Sequence, residues 1–233
     1  MDKFLDVILS YDFTWFFTIA VLIISFIAQI KVSSTFSKYN KVKTFQGITA
    51  AQVARQILDS NGLYHIQIER ISGNLTDHYD PRNNKIALSQ PVYDSTSVAA
   101  IGVAAHEVGH AIQYANNYKP IKIRNAILPI AQIGSQAWLW IFILGMVLEW
   151  ANLVFVGIAL FFFIFLFQLV TLPVEFNASN RAIATLEREN YLGRDELNGA
   201  KKVLGAAAMT YVAAMLSSLA TLLRLLSRTR KRN

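Results

Sequence analysis

The chain has 233 residues, of which 54% are hydrophobic and only 16% are charged, a balance typical of proteins with several membrane spans. It contains no cysteine, which excludes disulfides, thiolate metal sites and a cysteine nucleophile, so a transition metal would need histidine and carboxylate ligands. The net charge is +7, but the cations flank apolar runs and no basic nucleic-acid-binding motif is present. We therefore expect a bilayer partner and no nucleic acid.

The first apolar segment runs from Phe13 to Ile30 (FTWFFTIAVLIISFIAQI), carries no charge and ends at Lys31. Its length suits one transmembrane helix. A cleaved signal peptide is the alternative interpretation, but the residues before the run are net acidic and no small-x-small cleavage site follows it. The sequence favours an uncleaved membrane anchor over residues 1–30.

Residues 31–122 have the charges and the Asn, Gly and Pro punctuation of a water-facing segment. Thr49 to Asn61 predicts an amphipathic helix with a Thr cap and an Asn-Gly stop. Ile66 to Ile71 alternates apolar and polar residues, and Gly73 to Leu88 contains the turn sequence DPRNN, so we expect a small antiparallel sheet with a hairpin. The Ala-rich run from Ser95 to Ala115 predicts a helix.

The second half of the chain begins with apolar stretches at Ile127 to Leu148 and Leu153 to Leu172, which predict a transmembrane hairpin within residues 123–172. A polar segment, residues 173–202, follows. Val203 to Leu223 is uncharged but rich in Ala, Ser and Thr, so it either spans, packs on the protein or lies in the interface. Residues 203–233 thus comprise an apolar helix and the basic tail Arg224 to Arg232.

The strongest chemical signal is the string His106-Glu107-Val108-Gly109-His110. Two histidines at i and i+4 project from one face of a helix, one turn apart, and can bind one Zn²⁺. Glu107 would then lie beside the metal, where a carboxylate can act as general base for the attacking water. Burying three ionisable side chains in an apolar helix would be costly unless they were paired or bound a metal, which favours a metal site over a chance match.

A tetrahedral catalytic zinc needs a third protein ligand. In the absence of cysteine the choices are His65, His78 and a downstream carboxylate, of which Glu175 is best placed because it follows the apolar run ending near Leu172 and precedes a stretch that can start a helix after Pro173. The alternative is that Glu175 is only a carboxylate favoured by the dipole of that helix. Two spans between His110 and Glu175 return the chain to the same side of the membrane, which supports Glu175 independently of the motif.

Three segments resemble the bacterial putative neutral zinc metallopeptidases of the YugP-like family: LTDHYDPR at Leu75 to Arg82, SVAAIGVAAHEVGHAIQ at Ser97 to Gln113, and PVEFNASNRA at Pro173 to Ala182. The resemblance covers nearly the whole chain and implies a zinc-dependent peptidase. More distantly, HExxH with a remote Glu is similar to the integral-membrane gluzincins related to the CAAX prenyl proteases. Their third-ligand motif is ExxAD, and Ser179 stands here where those relatives have Asp.

Three further residues are candidates around the metal. Ser179 can exchange one hydrogen bond with a zinc-binding histidine, although it carries no charge. Arg181 could orient a carboxylate or carbonyl near the zinc, or be a solvated helix residue. His78 could be an auxiliary ligand, a donor to the transition state, or part of a polar turn.

These observations predict a mainly α-helical membrane protein with three or four spans and a gluzincin-like catalytic region, in which the HExxH helix adjoins a small β-sheet. The expected function is a zinc metalloprotease that hydrolyses peptide bonds in a peptide or membrane-protein substrate. The alternatives are a zinc-dependent hydrolase acting on another carbonyl compound, such as a lipid-linked amide, and a non-catalytic zinc-binding scaffold or chaperone-like module. The sequence does not indicate the oligomeric state.

The cations after the first span (Lys31, Lys38, Lys41 and Lys43) predict a multi-pass cell-membrane protein whose active site faces the cytoplasm. The basic tail conflicts with this orientation if Val203 to Leu223 spans the membrane. The conflict disappears if that segment does not span, so the sequence slightly favours three spans.

Overall fold

The computed structural model describes Val7 and residues 10–230 of the chain. Within these residues the chain forms seven α-helices and three strands. In chain order they are α1 (Tyr11–Asn40), α2 (Ala50–Ser60), β1 (Gln67–Ile71), β2 (His78–Asp80), β3 (Lys85–Ser89), α3 (Gln90–Tyr93), α4 (Val98–Ala115), α5 (Lys119–Val147), α6 (Ala151–Arg188) and α7 (Arg194–Arg230).

Four of these helices are long and apolar enough to cross a membrane: Phe13–Asn40 in α1, Lys119–Val147, Ala151–Arg188 and Arg194–Thr229 in α7. The anchor and the hairpin predicted from the sequence are thus present as helices. By length and composition α7 also qualifies as a fourth span, which the weak hydropathy of Val203 to Leu223 left open. The last three residues of the basic tail, and the residues before Val7, lie outside the part that the structure describes.

The chain divides into two compact units, and each of the four long helices contributes to both of them. The first unit contains residues 1–29, 122–172 and 210–233, and the second contains residues 30–121 and 173–209. In the first unit a core joins α5, α6 and the end of α7, with Phe142, Phe161 and Leu222 among its buried members.

The second unit has the larger core, built from α2, α4, β3, the C-terminal part of α6 and the N-terminal part of α7. Two capping interactions set its helices. Thr49 closes a capping box with Gln52 at the start of α2, and the Ser97 hydroxyl accepts a hydrogen bond from the Ala100 amide at the start of α4. Such caps satisfy amides that the first helical turn leaves free. Both helices therefore begin close to where the sequence predicts.

The sheet has the strand order β1-β3-β2, in which β2 and β3 form the predicted antiparallel hairpin but β1 pairs with β3 in parallel. The prediction of a purely antiparallel sheet was therefore wrong. The reason is burial: β3 (KIALS) buries four of its five residues, whereas none of the residues of β1 is buried. The most apolar strand takes the central position, and β1 becomes the edge strand on its far side.

The polar residues of the hairpin hold its shape. Asp80 accepts hydrogen bonds from the Arg82 amide at 2.9 Å and from the Asn83 side chain at 2.7 Å. Asp77 accepts from the amide and the hydroxyl of buried Ser89. These contacts give the two aspartates of the LTDHYDPR segment a structural role in the turn.

Pro173 lies inside α6, which continues without a break to Arg188. The sequence suggested that a new helix starts after this proline, and the structure corrects that expectation. A proline removes one helical hydrogen bond, and such a loss is tolerated in spanning helices when neighbouring groups compensate. The apolar span and the segment bearing Glu175 thus belong to one continuous helix.

Candidate metal centre

Helix α4 carries His106, Glu107 and His110 at the positions that the sequence predicts. The two imidazole rings lie one turn apart with their centroids separated by 4.7 Å and their planes nearly perpendicular. Glu107, between them in sequence, is 7% exposed. An almost fully buried carboxylate beside two histidines requires a compensating partner of positive charge.

Helix α6 brings Glu175 to this face of α4 because the two backbones approach closely at Gly109. A Cβ atom at Gly109 would lie 2.6 Å from the Ala178 carbonyl oxygen, closer than any side chain tolerates. Ala178 itself is fully buried. The glycine of the HEVGH string therefore permits the helix approach that places Glu175, the third candidate ligand, opposite the two histidines.

The ligand atoms of His106, His110 and Glu175 all lie within 4.8 Å of one another. The Glu175 Oε2 atom is 3.3 Å from the Nε2 atom of His106 and 3.6 Å from the Nε2 atom of His110. Two ligands of a tetrahedral zinc, each about 2.0 to 2.1 Å from the metal, are about 3.3 Å apart. The spacing of the donors therefore fits a zinc ion.

The burial of the carboxylate supports the same conclusion. The Glu175 side chain is only 5% exposed, and its Oε2 atom is buried without a hydrogen bond within the part of the chain described. A buried carboxylate oxygen without a partner lowers the stability of the folded protein by roughly several kcal/mol unless a cation pairs with it. A divalent metal held by these three side chains removes that cost.

Gln113 fixes the protonation of the His110 Nδ1 atom. The Gln113 amide nitrogen donates to the Val174 carbonyl oxygen at 2.8 Å and to Asn177 Oδ1 at 3.0 Å. Because a carbonyl oxygen only accepts, this orients the amide and turns Gln113 Oε1 towards His110 Nδ1, at 3.0 Å. Nδ1 must then carry the proton, which leaves the Nε2 lone pair facing Glu175 and free to bind a metal.

Ser179 contacts His106 at the same ring nitrogen, Nδ1, but its hydroxyl can either donate or accept this hydrogen bond. Its Oγ atom lies 3.1 Å from His106 Nδ1, so a hydroxyl contacts the histidine where the distant gluzincin pattern would put a carboxylate. Among the residues that the structure describes, Arg181 makes no hydrogen bond to the three candidate ligands. Its Nε atom donates to Asn177 Oδ1 at 2.7 Å, so Arg181 joins the series of hydrogen bonds that connects Asn177 through Gln113 to His110.

The electrostatics of His110 reflect its surroundings. Burial lowers the pKa of this imidazole, but the Glu175 carboxylate close to its Nε2 atom, the nearby charge of Glu107 and the contact with Gln113 outweigh that effect, and the net pKa is raised. In the absence of a metal, the carboxylates therefore favour a proton on this ring. A metal cation would occupy the same electrostatic position as that proton.

The other two histidines considered as ligands lie outside this cluster. His65 is exposed in the loop before β1. His78 is exposed on β2, and its Nδ1 atom lies 2.9 Å from the Thr76 carbonyl oxygen. Its neighbour Tyr79 packs edge-on against Tyr114 of α4, and since side chains alternate along a strand, His78 lies on the opposite face. A catalytic part for His78 stays a prediction that this geometry does not favour.

Sequence reasoning missed Gln113 and Asn177. Gln113 is fully buried in an otherwise apolar stretch, three residues after His110, a spacing at which helical side chains meet. Asn177 follows Glu175 by two residues. A polar amide one turn from a ligand histidine was the available signal, but its meaning depends on Val174 and Asn177, which lie on another helix.

The comparisons with known proteins agree with this geometry. The model of the family described as "Putative neutral zinc metallopeptidase" matches residues 14–230. The chain is 50% identical over 209 residues to the "Putative membrane protease YugP" of Bacillus subtilis (strain 168), an alignment that covers 90% of this chain and 93% of the relative. No solved structure gives a significant match.

Proposed function

The chain belongs to the putative neutral zinc metallopeptidase family, and from that premise we propose that it is a membrane-embedded zinc metalloendopeptidase with Glu107 as its general base. The observation that carries the proposal is the convergence of two Nε2 atoms and one carboxylate oxygen from α4 and α6, at 3.3 and 3.6 Å. Glu107 lies between the two histidines in sequence and is nearly buried.

In this proposal His106, His110 and Glu175 hold the zinc. The metal, when bound, supplies a Lewis acid that polarises the scissile carbonyl and lowers the pKa of water. Glu107 takes a proton from the water that attacks the carbonyl carbon and delivers it to the departing amine nitrogen, so the C–N bond breaks and no proton is lost. Gln113 keeps the proton on His110 Nδ1, and the Ser179 hydroxyl can accept a hydrogen bond from His106 Nδ1, so that both Nε2 atoms remain available.

The substrate is a peptide segment, and membrane proteins are the substrate class that suits a protease with four helices able to span a bilayer. Peptide hydrolysis has better support than action on a lipid-linked amide, because the relative with 50% identity is named a membrane protease. The zinc-binding scaffold remains the alternative from a different functional class, and it requires no general base.

Replacing Glu107 with Gln separates an enzyme from a scaffold. The variant should retain about one zinc per chain and lose proteolysis by at least about a hundredfold, the scale of general-base catalysis. Metal content is measured on purified protein, and substrates are sought as membrane proteins that accumulate uncleaved in E107Q cells. Glu187→Gln, an exposed change on α6, is the control. Unchanged cleavage in E107Q would refute the catalytic proposal.

We place the active site on the cytoplasmic side of the membrane. Three of the long helices carry cations at the ends that adjoin the segments bearing the metal centre. Examples are Lys31 after the first apolar run, Lys119 at the start of α5 and Lys202 before the last apolar run. The basic tail lies at the other end of a single helix, α7. If all four helices span, the positive-inside rule still favours the site side, since more spans carry cations there.

A further inference from the structure

A cavity of about 330 Å³ lies between α1 and α7 within the second unit, away from the metal ligands. Its wall includes Lys31, Thr35 and Lys38 of α1 and Lys202 and Gly205 of α7. On α1 these residues are spaced i, i+4 and i+7, and on α7 they are spaced i and i+3, so each set occupies one helix face. Two cationic helix faces thus meet around one space.

Gly205 keeps the cavity open. A Cβ atom built on this residue would meet no heavy atom within 4 Å, so the space beside it is not required for packing between the helices. Glycine lowers helix stability by about 1 kcal/mol relative to alanine. Its presence in the interior of α7 has no packing explanation of the kind that Gly109 has.

The charge of the cavity is unbalanced. Its wall contains three lysines and no acidic residue. None of Lys31, Lys38 and Lys202 forms an ion pair with any residue between 10 and 230 that the structure describes. Lys38 does lie over the Tyr39 ring, at 5.6 Å from its centroid. Three like charges around one space attract an anion.

The cavity coincides with the edge of the apolar layer on both helices. The apolar run of α1 ends at Ile30, directly before Lys31, and the apolar run of α7 begins at Val203, directly after Lys202. These residues are far apart in sequence, yet both lysines line the same cavity. At 1.5 Å per residue, Thr35 and Lys38 lie about 6 and 10 Å beyond Lys31 along α1. A headgroup layer is about 5 to 7 Å thick on each side, so the part of the cavity from Lys31 to Thr35 lies at headgroup depth. Lys38 lies beyond that layer, and its long side chain can reach back towards it.

We propose that this cavity binds the phosphate headgroup of an anionic membrane phospholipid, with Lys31, Lys38 and Lys202 as its cationic ligands. The negative charge of the lipid phosphate offsets part of the positive charge of the three lysines, and the acyl chains extend along the apolar surfaces that begin at Ile30 and Val203. Basic pockets between membrane helices are sites of this kind of recognition. The site is distinct from the metal centre and does not depend on peptidase activity.

The test uses the full-length protein purified in detergent and titrated with phosphatidylglycerol or phosphatidylcholine, with bound lipid counted by native mass spectrometry. The wild type should retain phosphatidylglycerol at least about tenfold better than phosphatidylcholine. The triple variant K31Q/K38Q/K202Q should lose that preference. The matched control K41Q/K43Q/K201Q removes three exposed lysines outside the cavity and should keep it. Equal loss in both triple variants would overturn the proposal.

Gly205→Leu tests the cavity without changing any charge. Leucine fills the open space and is a better helix former than glycine, so the variant should fold, which its melting temperature and zinc content verify. Lipid retention should fall about tenfold. Unchanged retention in this variant would place the lipid elsewhere and refute the site.

Inorganic phosphate distinguishes the source of the phosphate group. At millimolar concentration it should leave bound phosphatidylglycerol in place, because the acyl chains add apolar contacts that the free ion lacks. Displacement of the lipid by inorganic phosphate would show a soluble-anion site and would overturn assignment to a lipid.

Discussion

At the scale of single residues, the candidate site depends on which nitrogen of each histidine is free. His110 Nδ1 contacts Gln113 and His106 Nδ1 contacts Ser179, so both Nε2 atoms face Glu175. The Gln113 contact selects the His110 tautomer whose Nε2 lone pair can bind a metal, and the Ser179 hydroxyl is compatible with the same tautomer of His106. The contacts of Gln113 with Val174 and Asn177 make its amide the better fixed of the two partners.

Gln113→Leu should weaken zinc binding by about 10- to 100-fold. A leucine cannot accept the hydrogen bond from His110 Nδ1, so the tautomer with a free Nε2 lone pair is no longer preferred. Zinc affinity is measured by competition with a chromophoric chelator. Gln46→Leu is the control, since it removes a hydrogen bond to the Asn190 carbonyl oxygen in a loop away from the ligands. Comparable affinity losses in the two variants would contradict a specific role for Gln113.

Glu175→Ala should strip zinc from the protein as effectively as His106→Ala or His110→Ala, each of which removes one of three ligands. Wild-type protein should contain about one zinc per chain. Glu187→Ala and Glu189→Ala remove exposed carboxylates from the end of α6 and the turn after it and should leave the zinc content unchanged. Metal analysis after gel filtration decides the matter: retention of zinc in E175A, or equal losses in all three glutamate variants, would exclude Glu175 as a ligand.

At the scale of helices, the site is made by the close approach of α4 and α6. Gly109 contacts the Ala178 backbone, and both Glu175 and Ala178 lie on the part of α6 that follows Pro173. On the other flank of α4, Gly102 and Ala200 bring α7 into ordinary contact. A side chain at Gly109 would therefore clash with α6, whereas a methyl group at Gly102 would fit beside α7.

Gly109→Ala should lower both stability and zinc affinity, although alanine is the better helix former. The added methyl group lies 2.6 Å from the Ala178 carbonyl oxygen, so the helices must separate, at a cost of about 1 to 3 kcal/mol. Gly102→Ala on the same helix is the matched control, because its Cβ would lie 3.5 Å from the Ala200 Cβ. Thermal unfolding and zinc titration should show a lower melting temperature and a weaker zinc affinity only for G109A. A stabilised G109A would disprove this account of the helix contact.

At the scale of the whole molecule, four helices long and apolar enough to cross a bilayer give a fixed relation between the termini and the loops. If α1, α5 and α6 each cross the membrane, the residues between α1 and α5 share a side with the residues between α6 and α7, and the turn between α5 and α6 lies on the other side. The end of α7 then lies on the side of that turn if α7 also spans. This parity places α4 and the start of the polar part of α6 together, as the site requires.

The absence of cysteine makes sidedness directly measurable. With a cytoplasmic active site, Ser60→Cys should resist an impermeant maleimide in intact cells and react after lysis. Ala151→Cys, at the start of α6, should react in intact cells. Asn233→Cys should behave like Ala151→Cys if α7 spans the membrane and like Ser60→Cys if it does not. Labelling of Ser60→Cys in intact cells would reverse the orientation.

The sequence by itself predicted the membrane class, the family, the metal and the three side chains that the structure brings together as candidate ligands. These depend on local patterns: apolar runs of spanning length, HExxH spacing on a helix, and the parity that returns Glu175 to the side of His106. Only the tertiary structure decided the parallel pairing of β1, the continuity of α6 through Pro173, and the part of Gln113. Each of these depends on which surfaces compete for burial, or on partners from distant segments. A strand's neighbour and an amide's orientation are properties of the assembled core, so no local pattern encodes them.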